Sequence, residues 1–316
     1  MTEQYDVAIV GAGPAGLSAA LYTARFCRST LVVHDNSTRA ARIPLTHNAP
    51  GFDEGVSGTR LLARMRRHAE RYGTEVIEGR VDDVARRGAG FRLTAADGRV
   101  WDARAVILAT GVETNLLSVD GKAHDDAVAA GVLRYCPICD GYEHRGQRIA
   151  VVGCDVSGAA EALFLKSFSD DVTLLTRRDV ELGADERRDL DAAGVRTETR
   201  AVAEFLATGR EMRVRLEGED GPLVFDVVYP ALGSQPRSQL AHGLGLAVTA
   251  DGKLGAGTPF GSEVPGVFAA GDVVEGLDQI SVAMGHGAIV ATKAHNWLRA
   301  RDGETVEAVL GEQSAA

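Results

Sequence analysis

The stretch Tyr5-Asp6-Val7-Ala8-Ile9-Val10-Gly11-Ala12-Gly13-Pro14-Ala15-Gly16 decides the architecture of the chain. Tyr5 to Val10 reads as a short buried strand, Leu17 to Arg28 as a helix, and Thr30 to His34 as a second strand running into Asp35. In that setting the glycines have separate tasks: Gly11 permits the tight turn, Gly13 lets backbone approach a pyrophosphate, and Gly16 lets helix and strand pack closely. The helix N-terminus adds free N–H groups for the phosphates. Asp35 is placed to accept from a ribose hydroxyl, with His34 and Asn36 on the same edge.

Working outward, residues 36–60 carry Arg39, Arg42, Pro44, Pro50, Gly51 and Gly55 and read as a long functional loop. Gly58 to Tyr72 reads as a basic amphipathic helix with Leu61, Leu62, Met65, His68 and Ala69 on its inner side, its charges forming a solvated face. Strand alternation from Val76 ends in Ala105-Val106-Ile107-Leu108-Ala109-Thr110-Gly111, a buried strand entering a sharp turn. A second strand–turn–helix follows: Gln147 to Val152, Gly153-Cys154-Asp155-Val156-Ser157-Gly158, a helix to Ser167, and a strand at Val172 to Leu175 before Arg177 and Arg178. Asp155 stands where the second glycine belongs, so its carboxylate opposes a pyrophosphate. Pro265 to Val273 is a third unit, a buried strand ending in Gly271-Asp272, with an apolar helix from Gln279 to Leu298.

Between the two glycine turns lies Tyr135-Cys136-Pro137-Ile138-Cys139-Asp140-Gly141. Two thiols separated by two residues can close into a small disulfide ring, and proximity lowers the pKa of one of them. An acid directly after the second thiol sits where a proton moves when the ring opens. A zinc half-site is the other reading of this spacing, but zinc takes four ligands, and Cys27 and Cys154 are isolated. The pair therefore reads as redox-active, with no metal.

At 316 residues the chain is long enough for two domains, and 45% hydrophobic with 25% charged residues is ordinary for a globular protein. No apolar run reaches about eighteen residues, so no membrane span is expected. The first residues lack the basic and apolar regions of a secretory signal, which predicts a cytoplasmic protein. A net charge of −10 argues against a broad nucleic-acid surface.

In order along the chain, Gly11-x-Gly13-Pro14-Ala15-Gly16, Ala109-Thr110-Gly111, Cys136-x-x-Cys139-Asp140-Gly141, a second glycine turn and Ala269-Ala270-Gly271-Asp272 resemble the low-molecular-weight thioredoxin reductases. The resemblance covers nearly the whole chain. It implies an α/β fold of two Rossmann-like (three-layer ββα) nucleotide-binding domains, the second inserted in the first. The FAD-binding domain is expected at 1–113 plus 238–316 and the inserted NAD(P)H-type domain, carrying the redox pair, at 114–237. Gly11, Gly13, Pro14, Ala15, Gly16 and Asp35 would hold the ADP half of FAD, Val81 the adenine, Asn48 the flavin ring, Asp272 (after Gly271) the ribityl chain, and Gln279 and Ile280 the pyrimidine edge. Cys139 would be the flavin-side thiol, Cys136 the attacking one and Asp140 the general acid. Gly153, Arg177 and Arg178 form the NADPH set. A homodimer acting on a thioredoxin-like protein or a small-molecule dithiol or disulfide is implied.

Departures from the family pattern leave other readings open. Asp155 occupies the pyrophosphate turn, a later NADPH-gripping Arg falls on Leu182, and His286 replaces a small polar residue near the last helix start. His286 reads either as an acid/base or as a packing residue. The Cys-Pro-Ile-Cys wording partly resembles the related dithiol oxidases of sulfur-bearing natural products, which have His at the place of Asp140. The alternatives are therefore a dithiol oxidase, a reductase fed by a ferredoxin-type donor, or a non-catalytic redox-sensing flavoprotein.

Overall fold

A computed structural model describes residues 4–119, 121–153, 156–176, 182–219, 221–255 and 263–304. Along the chain, β1 (Gln4–Val10) leads into α1 (Pro14–Arg25) and β2 (Thr30–His34). A 3-10 turn at Arg39–Arg42 precedes α2 (Gly58–Glu70), β3 (Glu75–Glu78), β4 (Val81–Arg87), β5 (Gly90–Ala95), β6 (Val100–Leu108) and β7 (Val112–Thr114). Next come α3 (Gly121–Ala130), α4 (Pro137–Asp140), β8 (Ile149–Val152), α5 (Val156–Leu165), β9 (Val172–Leu175), α6 (Ala184–Ala192) and β10 (Arg196–Glu198). The strands β11 (Val202–Thr208), β12 (Glu211–Leu216), β13 (Leu223–Phe225), β14 (Val227–Pro230) and β15 (Ser234–Pro236) lead to α7 (Gln239–Gly243), β16 (Val267–Ala269) and α8 (Ile280–Arg301).

These elements form two compact units. The first holds residues 1–45, 56–113 and 235–316; the second holds Thr46–Gly55 and Thr114–Ser234. The chain passes between them at β7 and β15, which pair with one another. The loop 46–55 groups with the second unit, whereas the sequence reading keeps it in the first.

In the first unit, the described strands order as β3-β2-β1-β6-β5-β4, with β16 joining β6. β6 serves two neighbours on one side. Its first half pairs antiparallel with β5 (Leu93 opposite Trp101), and its last residues pair parallel with β16 (Leu108 opposite Ala269). β1, β2, β3 and β6 are mutually parallel; β2 and the last residues of β1 and β6 read as unbroken buried runs because both faces are covered, whereas the edge strand β3 ends in exposed Glu75 and Glu78. One face packs on α1 and α8 through Ile9, Ile107, Leu17, Val290 and Leu298, and the other is filled by Val10, Leu31, Phe91 and Leu93. Gly287 makes the α1–α8 approach possible: a Cβ there would lie 2.3 Å from the Ala15 carbonyl oxygen.

The second unit is built on a parallel sheet ordered β10-β9-β8-β14, with a separate antiparallel sheet β11-β12-β13. Ile149, Val151, Leu165, Leu174 and Tyr229 centre one core, and Leu133, Met212, Val214 and Val228 the other.

Several boundaries differ from the sequence reading. α1 starts at Pro14, whose fixed φ suits a first helical position, and stops at Arg25, before Cys27 enters the left-handed region at φ 60°. β8 begins at Ile149, α5 ends at Leu165 and α8 extends to Arg301. His68 is exposed and lies against the Tyr72 ring, 5.8 Å between centroids.

Candidate active site

The redox centre lies in the second unit. Cys136 and Cys139 form a disulfide with their Cα atoms 5.3 Å apart. Cys136 is extended, Pro137 starts the single helical turn of α4, and the Cys139 amide donates to the Cys136 carbonyl at 2.9 Å. Gly141 closes the turn under tight packing, since a Cβ there would lie 2.7 Å from the Pro137 oxygen and 2.8 Å from the Phe168 ring. Ile138 and Tyr142 flank the disulfide at 49% and 60% exposure, with the Arg145 guanidinium 3.8 Å above the Tyr142 ring.

Asp140 is turned inward, its side chain only 15% exposed. Tyr229 Oη donates to its Oδ1 at 2.8 Å, and Arg134 Nε lies 3.3 Å from its Oδ2. Burial pushes its carboxyl above the ordinary range; the Tyr229 hydrogen bond, then Arg134 and His144, pull the other way without overcoming it, and Glu143 adds to the rise. The Tyr229 phenol is itself pushed far up by burial and by Asp140. β14 delivers both partners: Tyr229 sits on it opposite Val151, and the Arg134 amide donates to Val228 O at 2.9 Å. Sequence reasoning missed Arg134 and Tyr229. Tyr229 sits in the apolar run Val227-Val228-Tyr229-Pro230, and its lone hydroxyl there is the one available signal.

Asn48 reaches the same turn. Its side-chain amide donates to the Ile138 carbonyl at 3.4 Å and accepts from Thr46 Oγ1 at 2.8 Å. His47 Nδ1 lies 3.1 Å from Glu143 Oε1.

The first unit holds the glycine cradle. Gly11 has φ +109°, and a Cβ there would lie 2.2 Å from the Ala109 oxygen; one on Gly16 would lie 1.9 Å from the Gly11 oxygen. Gly13 is the extended N-cap of α1, no side chain caps the helix, and its Cβ direction is open apart from Thr38 at 3.7 Å. Ala15 touches the position of Gly271, where φ is +79°. Thr110 Oγ1 donates to Arg237 O at 2.6 Å, and the Arg237 amide returns to Gly111 O at 3.0 Å. Asp35 accepts from the Ser37 amide at 3.0 Å; against burial, the Ser37 hydrogen bonds and Arg237 hold its carboxyl below the ordinary range. His34 beside it is buried, with no hydrogen-bond partner at Nε2 among the described residues. Val81 is buried at the start of β4.

Asp272 follows β16. Arg39 Nη1 lies 3.1 Å from its Oδ2 and 3.6 Å from Asp278, which also takes Lys253 Nζ at 2.7 Å. Burial first, then Asp278, pushes the Asp272 carboxyl up despite Arg39. Gln279 is the extended N-cap of α8, Ile280 its first residue, and His286 lies farther along, where burial lowers its pKa.

In the second unit's glycine turn, a Cβ on Gly153 would meet Gly158 Cα at 2.9 Å. Cys154, Asp155, Arg177 and Arg178 lie outside the described residues. Leu182 is 7% exposed within the core, so that position presents apolar surface inward. Among the described residues, no group of three or more His, Cys, Asp or Glu could hold a metal, and no helix is long and apolar enough to cross a membrane.

A dinucleotide cradle whose glycine side chains would strike backbone, an uncapped helix N-terminus, an orphaned buried imidazole and a cysteine pair beside a buried acid define a flavin disulfide oxidoreductase. The cradle fits FAD on these grounds. Residues 5–287 match the pyridine nucleotide-disulphide oxidoreductase family. The thioredoxin reductase of Streptomyces clavuligerus is 34% identical over 312 residues, 95% of this chain and 96% of that one. The bifunctional thioredoxin reductase/thioredoxin of Mycobacterium leprae is 36% identical over 305 residues, covering 93% of this chain and 66% of the relative's length. Among solved structures, the thioredoxin reductase from Streptococcus pyogenes MGAS5005 superposes with a TM-score of 0.86 at 28% identity, over 95% of this chain and all (100%) of that one. The crystal structure of HlmI superposes with a TM-score of 0.88 at 30% identity, over 100% and 99%. The chain belongs to the pyridine nucleotide-disulphide oxidoreductase family and is of the low-molecular-weight thioredoxin reductase type. It is an FAD-dependent disulfide oxidoreductase.

Proposed function

We propose that the protein reduces the disulfide of a thioredoxin-like protein through Cys136 and Cys139, with Asp140 as the proton donor. The observation that carries this reading is the buried Asp140 directly beside the disulfide, kept protonated toward higher pH than an exposed carboxyl by desolvation. The names of the relatives support the choice of a thioredoxin as partner.

In this reading the segments 1–113 and 238–316 form the FAD-binding domain and 114–237 the inserted domain. Gly11, Gly13, Pro14, Ala15 and Gly16 hold the pyrophosphate, Asp35 the ribose and Val81 the adenine. Ala109, Thr110 and Gly111 shape the turn beside it. Gly271 and Asp272 hold the ribityl chain, Asn48 the flavin ring, and Gln279 and Ile280 the pyrimidine edge. FAD, when bound, supplies the electron pair that opens the Cys136–Cys139 disulfide. The Cys136 thiolate then attacks one sulfur of the incoming disulfide. A bond forms between Cys136 Sγ and that sulfur, the incoming S–S bond breaks, and the departing thiolate takes the proton from Asp140. The Cys139 thiolate next attacks Cys136 Sγ, the mixed bond breaks, and the second partner thiolate leaves, taking its proton from solvent. The partner has gained two electrons and two protons, and the Cys136–Cys139 disulfide is restored.

The electron donor in this reading is NADPH, held by Gly153, Arg177 and Arg178. Leu182 offers no cation, so its grip is weaker than one with a third charge. A homodimer in the cytoplasm completes the reading. The test is anaerobic mixing of the oxidised holoenzyme with excess NADPH, then NADH, followed by thioredoxin, while flavin absorbance is read. Fast bleaching by NADPH and reoxidation by thioredoxin disulfide supports the proposal. Bleaching by a dithiol alone would overturn the nicotinamide part and leave a dithiol oxidase.

A further inference from the structure

Both carboxyl oxygens of Asp140 are held by groups distant in sequence from the redox turn or outside its motif. Tyr229 Oη is 2.8 Å from Oδ1, and Arg134 Nε is 3.3 Å from Oδ2. Tyr229 is fully buried in β14, so its ring cannot swing away. Arg134 is fixed at its backbone by the 2.9 Å bond to Val228 O and next to the Leu133–Val228 bridge. One strand thus carries both supports. The remaining charged groups facing Asp140 are His144 and Glu143. His144 Nδ1 is engaged by Gln147 Oε1 at 2.8 Å, and Glu143 is drawn to His47 at 3.1 Å.

We infer that Tyr229 and Arg134 are positioning residues for the redox step, holding the carboxyl of Asp140 by a hydrogen bond on one oxygen and an ion pair on the other so that its proton is released within a set pH range. The inference rests on the reading of Asp140 as proton donor. The physical reason is that a phenol hydroxyl and a guanidinium both favour the carboxylate, opposing the burial that favours the acid. A hydrogen bond on one oxygen and a fixed positive charge beside the other also restrict rotation of the carboxyl more than the hydrogen bond alone would. Removing either one leaves burial less opposed, so the proton is retained to higher pH.

The experiment is the pH profile of kcat/KM for reduction of a thioredoxin disulfide by holoenzyme carrying Tyr229→Phe, Arg134→Met, Arg134→Lys or Asp140→Asn. Tyr229→Phe keeps the buried ring, and flavin absorbance and thermal melting confirm that each variant is folded. The high-pH limb is expected to move upward by about one unit in Tyr229→Phe and Arg134→Met, to return toward wild type in Arg134→Lys, and to vanish in Asp140→Asn. Lower rates in Tyr229→Phe and Arg134→Met with an unmoved limb would overturn the inference, because packing alone would then explain them. A wild-type limb in Asp140→Asn would overturn the proton-donor reading beneath it, an outcome distinct from the first.

Discussion

Cys139→Ser is expected to arrest the enzyme as a stable mixed disulfide between Cys136 and thioredoxin, since the resolving thiol is gone; Cys136→Ser should trap none. Non-reducing electrophoresis or intact mass separates the two. Asp140→Asn should lower turnover by about a hundredfold, within the range for loss of a positioned proton donor, while leaving flavin content intact. These residues were legible because Cys136, Cys139 and Asp140 are contiguous and their chemistry needs only that adjacency. Tyr229 was not legible, because 89 residues separate it from Asp140 and parallel pairing of β14 with β8 brings it there. The lone hydroxyl in that apolar strand marks the residue but does not name the acid it meets.

The elements of the first unit meet at backbone distances that glycine alone allows. Gly287→Ala would press a Cβ to 2.3 Å from Ala15 O, and the α1–α8 packing must shift. Overpacking of this kind costs about 1–3 kcal/mol, and FAD retention should fall with the melting temperature, read by flavin fluorescence on heating. The clasp formed by Arg39 gives a pH-dependent prediction. Burial and Asp278 raise the folded pKa of Asp272, so its contribution to stability is complete below the ordinary carboxylate range and is lost as pH rises through the raised value. Arg39 opposes that loss. Arg39→Met should therefore destabilise little near pH 4 and by about 1 kcal/mol at neutral pH, the partial exposure of both side chains keeping the figure small; melting at the two pH values checks it. The strand–turn–helix order and the glycine positions were legible in the sequence because period and turn chemistry are local. The ion pairs of Arg39 were not, since a loop arginine carries no mark of its partner.

At the scale of the molecule, the glycine cradle, Asp35 and Asp272 lie in the first unit, and Asn48 lies in the second with the disulfide and its acid. Calorimetry with graded FAD should therefore raise the unfolding transition of the first unit, by about 2.7 kcal/mol at a hundredfold excess over Kd, and move that of the second unit less. A uniform shift of a single transition would contradict this division of labour. The strand at the third glycine cluster, which pairs with β6, was legible from its apolar run. The grouping of residues 46–55 with the second unit was not, because it depends on His47 and Asn48 meeting Glu143 and Ile138.

The double partnership of β6 has a consequence for biosynthesis. Val106 to Leu108 pair with β16, which leaves the ribosome after the whole second unit. At about 5–20 residues per second, that strand edge stays bare for roughly ten to thirty seconds on the nascent chain. During that time β8 and β14 emerge and pair with one another. A nascent flavoenzyme of this design thus depends on cotranslational protection of one three-residue edge, and its yield should respond to chaperone supply and translation rate more than its purified stability would indicate.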